Sequence, residues 1–112
     1  MVDGAEPDTA MVVAGLSALA QETRLLAFRR LLRTGARGMP QGELARELSV
    51  PPQTLSFHLR QMSAAGIVRS RREGTTIHYS IDFDTVRSLA RYLTESCCVL
   101  EGPRTRREKG RR

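Results

Sequence analysis

Hydrophobic spacing along the chain changes from helical to alternating at Gly66, and the helical stretch just before that change opens on two consecutive prolines. Proline lacks an N–H and fixes φ, so it fits the first turn of a helix and little else inside one. PPQTLSFHLRQMSAAG therefore reads as a helix beginning near Pro51, with Leu55, Leu59 and Met62 as its apolar stripe and Gly66 as its stop. After Gly66 come Ile67-Val68, a charged tip Arg71-Arg72-Glu73-Gly74, and Ile77, Tyr79 and Ile81 in alternation, the pattern of a β-hairpin. Before the prolines, QGELARELS reads as a two-turn helix with Leu44 and Leu48 four apart, and Ser49-Val50 leaves room only for a tight turn. Two helices meeting at a short turn, followed by a basic-tipped hairpin, make a winged helix-turn-helix. The expected class is mainly α with a small β-hairpin.

Three further helices flank this unit. From Thr9, residues Met11, Val12, Leu16, Leu19 and Ala20 recur at helical spacing. QETRLLAFRRLLRTGARG sets Leu25, Phe28, Leu31 and Leu32 on one stripe, with Arg24, Arg29, Arg30 and Arg33 on the other side, and Gly35 and Gly38 close it. In FDTVRSLARYLTESCCVL the stripe is Val86, Leu89, Ala90, Leu93 and Cys97, with Asp82 or Asp84 as the cap and Gly102-Pro103 as the stop. One domain over residues 9–102 is expected, between an acidic disordered start (1–8) and a basic disordered tail (103–112).

The net charge of +6 is concentrated in that tail, where six bases face one acid; the rest of the chain holds twelve bases and eleven acids. Bulk charge is thus a weak argument for a nucleic-acid partner, and the placement of single charges has to carry it. No run approaches the ~18 apolar residues of a membrane span. The first ten residues have no Lys or Arg, unlike a secretory signal. A cytoplasmic location follows as an expectation, with no membrane partner.

The segments LSALAQETRLLAFRRLL, GELARELSVPPQTLSFHLRQMSAAGIV and RREGTTIHYSI, spanning Leu16 to Ile81, resemble the ArsR/SmtB family of bacterial metal- and metalloid-sensing repressors. "ETRL", "SFHL", "AGIV" and "RREG" stand in the family's order and spacing. The resemblance implies a homodimer built through the first and last helices. It also implies that double-stranded operator DNA is bound by the helix at Pro52–Ala65 and by the wing. On that helix Gln53, Thr54, Ser56 and Arg60 carry the groups that hydrogen-bond base edges or phosphates. His58 sits beside the apolar stripe, either facing DNA or half-buried in packing. Phe57 lies off the stripe, either touching thymine methyls or covering a neighbouring helix. Arg71 and Arg72, with Arg69, are wing candidates for phosphate, against the plainer reading of a solvated hairpin tip.

The inducer is narrowed by what the segments lack. MPQGELARELS contains no cysteine, so the family's arsenite site in the helix before the reading helix is not expected. The last helix contains no histidine, and the chain's two histidines are His58 and His78, so a His/carboxylate zinc site is not expected either. There remains the adjacent pair Cys97-Cys98, too close in sequence to staple a fold. RYLTESCC resembles family members that sense trivalent arsenic with C-terminal vicinal cysteines. Soft thiolates select thiophilic ions. Inorganic arsenite takes up to three sulfurs and this chain offers two; methylarsenite needs only two. As(III), methylarsenite and Sb(III) are the expected inducers, with no permanent cofactor. The alternatives are a thiol redox or persulfide switch, and Cys97 as a plain core residue. No nucleophile-and-base set stands out, so the chain is not expected to be an enzyme.

Overall fold

The computed structural model describes residues 9–101, with side chains as far as Glu95. The expected disordered ends, 1–8 and 103–112, fall outside the described residues, as do the side chains of Cys97 and Cys98. In chain order the elements are α1 (Thr9–Leu19), α2 (Glu22–Leu32), a 3-10 turn (Gly35–Arg37), β1 (Met39–Pro40), α3 (Gln41–Leu48), α4 (Pro52–Ala64), β2 (Val68–Glu73), β3 (Thr76–Ile81) and α5 (Phe83–Glu101). This is a winged helix-turn-helix: five helices and a three-stranded antiparallel sheet in the order β1-β3-β2.

The turn chemistry explains the boundaries. Ser49 takes a left-handed conformation (φ 55°) at the end of α3. Pro51 is the N-cap of α4 and its carbonyl accepts from Leu55 N at 3.0 Å, so the missing proline N–H costs α4 nothing. Gly66, at φ 80°, turns the chain out of α4, and Gly74, at φ 64°, closes the hairpin. Of the two candidate caps for α5, Asp82 performs the role: its Oδ1 accepts from Thr85 N at 3.1 Å, while Asp84 pairs with Arg87.

The core is built from Ala27 and Leu31 of α2, Leu44 and Ala45 of α3, Leu55, Leu59 and Met62 of α4, Ile67 and Val68, Tyr79 and Ile81 of β3, and Leu89 of α5. The α4 stripe is the one read from the sequence. In α2 the stripe is displaced: Leu25 and Leu32 remain 45% and 38% exposed, and Ala27 is fully buried in their place. That helix has apolar residues on more than one side, and the side carrying the small Ala27 is the one that seats against the core. Strand β1 was not expected. It pairs Met39 with Tyr79 and Pro40 with His78, at two residues too short to leave an alternation. Gly38 makes it possible, because a Cβ there would sit 2.0 Å from the Tyr79 carbonyl oxygen.

The wing is fastened to α4 by backbone. Ile67 N donates to Met62 O, and Asp82 N donates to Ile67 O, both at 2.9 Å. One short ladder thus joins the end of α4, the start of the wing and the cap of α5.

Candidate nucleic-acid interface

With ~100° per residue, Leu55, Leu59 and Met62 turn one side of α4 into the core. The opposite side is the candidate reading surface. Gln53, Thr54 and Arg60 are exposed there, and Ser56 is half-buried. Arg60 Nη1 donates to Ser56 Oγ at 2.7 Å, one turn back along the helix, so these two form a single polar unit. Gln41 of α3 reaches the start of α4, its Nε2 donating to Pro52 O at 3.5 Å. The structure therefore brings Gln53, Thr54, Ser56 and Arg60 onto one helix.

His58 stands apart from that set. It is half-buried on the flank of the core stripe, and its Nδ1 accepts from Arg24 Nε at 3.2 Å. Accepting at Nδ1 makes the ring neutral with its proton on Nε2. Burial, and then the Arg24 guanidinium, hold its pKa below the ordinary histidine value. Arg24 also donates from Nη1 to the Ala18 carbonyl at 3.4 Å. One side chain of α2 thereby ties the end of α1 to the flank of the reading helix. Sequence reasoning placed Arg24 among the outward arginines; the signal that it is not is its helical spacing with Ala27 and Leu31.

The wing carries its charges unevenly. Arg71 is opposite His78 and Arg72 opposite Ile77, so the two arginines point to different faces of the hairpin. Arg71 Nε pairs with Glu73 at 3.1 Å, and His78 Nε2 lies 3.7 Å from the same carboxylate. Arg72 is exposed and has no ion pair among the described residues. Arg69 reaches Asp82 at 3.4 Å. Burial pushes the Asp82 carboxyl up, but the Thr85 N–H and Arg69 outweigh it and leave its pKa below the usual range. Among the described residues no group of three His, Cys, Asp or Glu side chains is placed to hold a metal ion. Cys97 and Cys98 fall in the last turns of α5, which runs to Glu101.

Residues 19–71 match a family model described as a helix-turn-helix domain. KmtR, an HTH-type transcriptional regulator of Mycobacterium tuberculosis, is 37% identical over 79 residues, which are 70% of this chain and 58% of KmtR. MJ1325, an HTH-type transcriptional regulator of Methanocaldococcus jannaschii, is 35% identical over 78 residues, and the match covers 85% of its length. An ArsR-like transcriptional regulator from Rhodococcus sp. RHA1 superposes with a TM-score of 0.71 at 27% identity, over 82% of this chain and 84% of that one. The chain belongs to the ArsR/SmtB family of winged-helix transcriptional regulators.

Two other solved structures of this type bear on what such a regulator does. The homodimeric winged helix-turn-helix domain of Mb0332 from Mycobacterium bovis, a possible ArsR-family regulator, has a TM-score of 0.62 and 27% identity, covering 88% of this chain and 89% of that one. The AntR antimony-specific transcriptional repressor has a TM-score of 0.62 and 29% identity, covering 90% and 91% of the two chains. In this winged helix-turn-helix the helix-turn-helix is α3–α4 and the wing is β2–β3. No single helix among the described residues is long and apolar enough to cross a membrane.

Proposed function

We propose that this regulator is a cytoplasmic homodimeric repressor that holds a pseudo-palindromic operator with α4 and the wing, and releases it when trivalent arsenic (inorganic or methylated) or antimony binds Cys97 and Cys98. The observation that carries the inducer assignment is the adjacent cysteine pair on the last turns of α5, in a chain whose other soft donors are four methionines. Adjacent thiolates share one local surface and chelate one thiophilic ion. The kinship with an antimony-specific repressor keeps Sb(III) in the set.

Support for the dimer comes from apolar side chains that the fold leaves outside. Val13 and Leu16 on α1 and Leu93 on α5 are 56%, 41% and 46% exposed, although α1 and α5 also pack on each other where Gly15 meets Leu89. A second copy covers these faces by the same two helices, giving an isologous interface and two reading helices about one DNA turn apart.

The coupling runs along α5. Its cap, Asp82, is bonded both to Thr85 inside the helix and to Arg69 at the root of the wing. A shift of α5 on metalloid binding is carried through this cap to the anchor of the wing. Release follows by linkage, because the inducer binds the free dimer more tightly than the DNA-bound one.

The test of the DNA-binding half is a selection of random duplexes by the full chain, with sedimentation of the protein alone. A selected site with two inverted halves, bound by a dimer with steep salt dependence, is the expected result. A monomer that binds operator tightly, or binding without salt dependence, refutes it.

A further inference from the structure

Phe57 is the one large apolar side chain on the exposed side of α4, at 48% exposure. At ~100° per residue it lies within about 15° of the direction opposite the core stripe of Leu55, Leu59 and Met62. Its neighbours around the helix are Gln53 and Gln61, with Arg60 one step further, all exposed. It therefore does not cover a neighbouring helix, the alternative that the sequence left open. The His58 ring meets it edge-on, 63° between planes and 5.5 Å between centroids, and His58 is itself held by Arg24. The aromatic ring thus stands at the crest of the reading helix, backed by a side chain that is fixed in place.

In the major groove one base carries an apolar group: the C5-methyl of thymine. An apolar ring amid hydrogen-bonding side chains, on the helix that enters that groove, has that methyl as its chemical complement. We propose that Phe57 is a specificity-determining residue that reads a thymine methyl in each operator half-site. The assignment rests on the operator-binding reading above and adds to Gln53 a contact that hydrogen bonding cannot supply. The residue discriminates thymine from cytosine and from uracil by an apolar contact alone.

The experiment uses the tightest duplex selected by the full chain, synthesised once with thymine and once with deoxyuridine throughout. Deoxyuridine keeps every base-pairing and groove hydrogen-bonding group and removes only the methyl. At the usual contribution of one buried carbon the wild type loses about fourfold per half-site, about 15-fold for a dimer on two halves. Phe57→Ala binds the thymine duplex about as weakly as the wild type binds the uridine duplex, and no longer distinguishes the two. Phe57→Leu keeps part of the discrimination, and serves if the alanine variant unfolds. Equal wild-type affinity for the two duplexes overturns the assignment while leaving the DNA-binding reading intact. So does an equal loss on deoxyuridine in the wild type and in Phe57→Ala, because the methyl is then sensed elsewhere. Failure to select any duplex overturns the DNA-binding reading and this assignment with it.

Discussion

Replacing Arg24 by methionine keeps the aliphatic stem and removes the guanidinium that joins α1, α2 and α4. Two hydrogen bonds are lost: Nε to His58 Nδ1 at 3.2 Å and Nη1 to Ala18 O at 3.4 Å. A bond to a charged donor contributes roughly 1.5–3 kcal/mol, and the length and half-exposure of these two bring the expected loss to about 1–2 kcal/mol. The pair term is separable, since Arg24→Met and His58→Ala together should cost about 1 kcal/mol less than the sum of the single changes. The sign of the pH effect follows from the neutral ring. His58 has its pKa lowered in the fold, first by burial and then by Arg24, from the ordinary value of 6.5. The unfolded chain therefore takes up a proton before the folded one does. The stability that depends on neutral His58 is complete above 6.5 and is lost as pH falls from there toward the depressed folded value. Arg24→Met relieves the second cause and flattens that decline. Urea unfolding at fixed protomer concentration, at several pH values across this window, measures both effects. Strict additivity of the two substitutions, or an unchanged pH slope in Arg24→Met, refutes the clasp.

The remaining expectations concern DNA, the α5 cap and the dimer. Removing Arg71 and Arg72 together weakens operator and random duplex alike and lowers the salt slope by about one unit per lost phosphate contact, whereas Gln53→Ala reduces base discrimination by about 1–3 kcal/mol; anisotropy titrations at several salt concentrations separate the two. Asp82→Ala removes the cap of α5 and costs about 1 kcal/mol. Because the Asp82 pKa is lowered in the fold, its contribution is present above the ordinary carboxylate value and fades as pH falls through the depressed one, so wild type and variant converge in thermal melts at acid pH. Leu16→Asp places a charge on the exposed face of α1 and yields monomers in sedimentation, with operator affinity falling far more than fold stability.

The helix-turn-helix and the wing were legible because local chemistry and global packing agree there. Pro51-Pro52 admits one helix start, Leu55, Leu59 and Met62 admit one buried side, and Gly66 and Gly74 carry the positive-φ turns at the two ends of β2. Where several sides of a helix are apolar the reading went astray. α2 holds Leu25, Leu26, Leu31 and Leu32, and only tertiary contact selects the Ala27–Leu31 side and leaves the others out. Strand β1 is two residues long and depends on Gly38 lying against Tyr79, a proximity that no local pattern encodes. In the candidate interface the exposed set Gln53, Thr54 and Arg60 follows from the helix period alone. His58 beside the stripe left two readings open, and its contact with Arg24, 34 positions away in the chain, selects the half-buried one. Arg71 shares its charge with Glu73, two residues on at the hairpin tip, which leaves Arg72 the freer cation of the two.

Control by the Cys97–Cys98 pair is tested most directly by operator release. A fluorescent operator held by wild type, Cys97→Ser, Cys98→Ser and the double variant is titrated with arsenite, methylarsenite, antimonite, zinc and peroxide. Binding should be equal for all four proteins before titration, since the proposed DNA contacts lie on α4 and the wing. The wild type should release DNA with the three metalloids, methylarsenite at least as effectively as arsenite because it needs only two sulfurs, and not with zinc. All three serine variants should hold on. Release of the double variant by arsenite contradicts the account, and release of the wild type by peroxide alone points to a thiol redox switch instead.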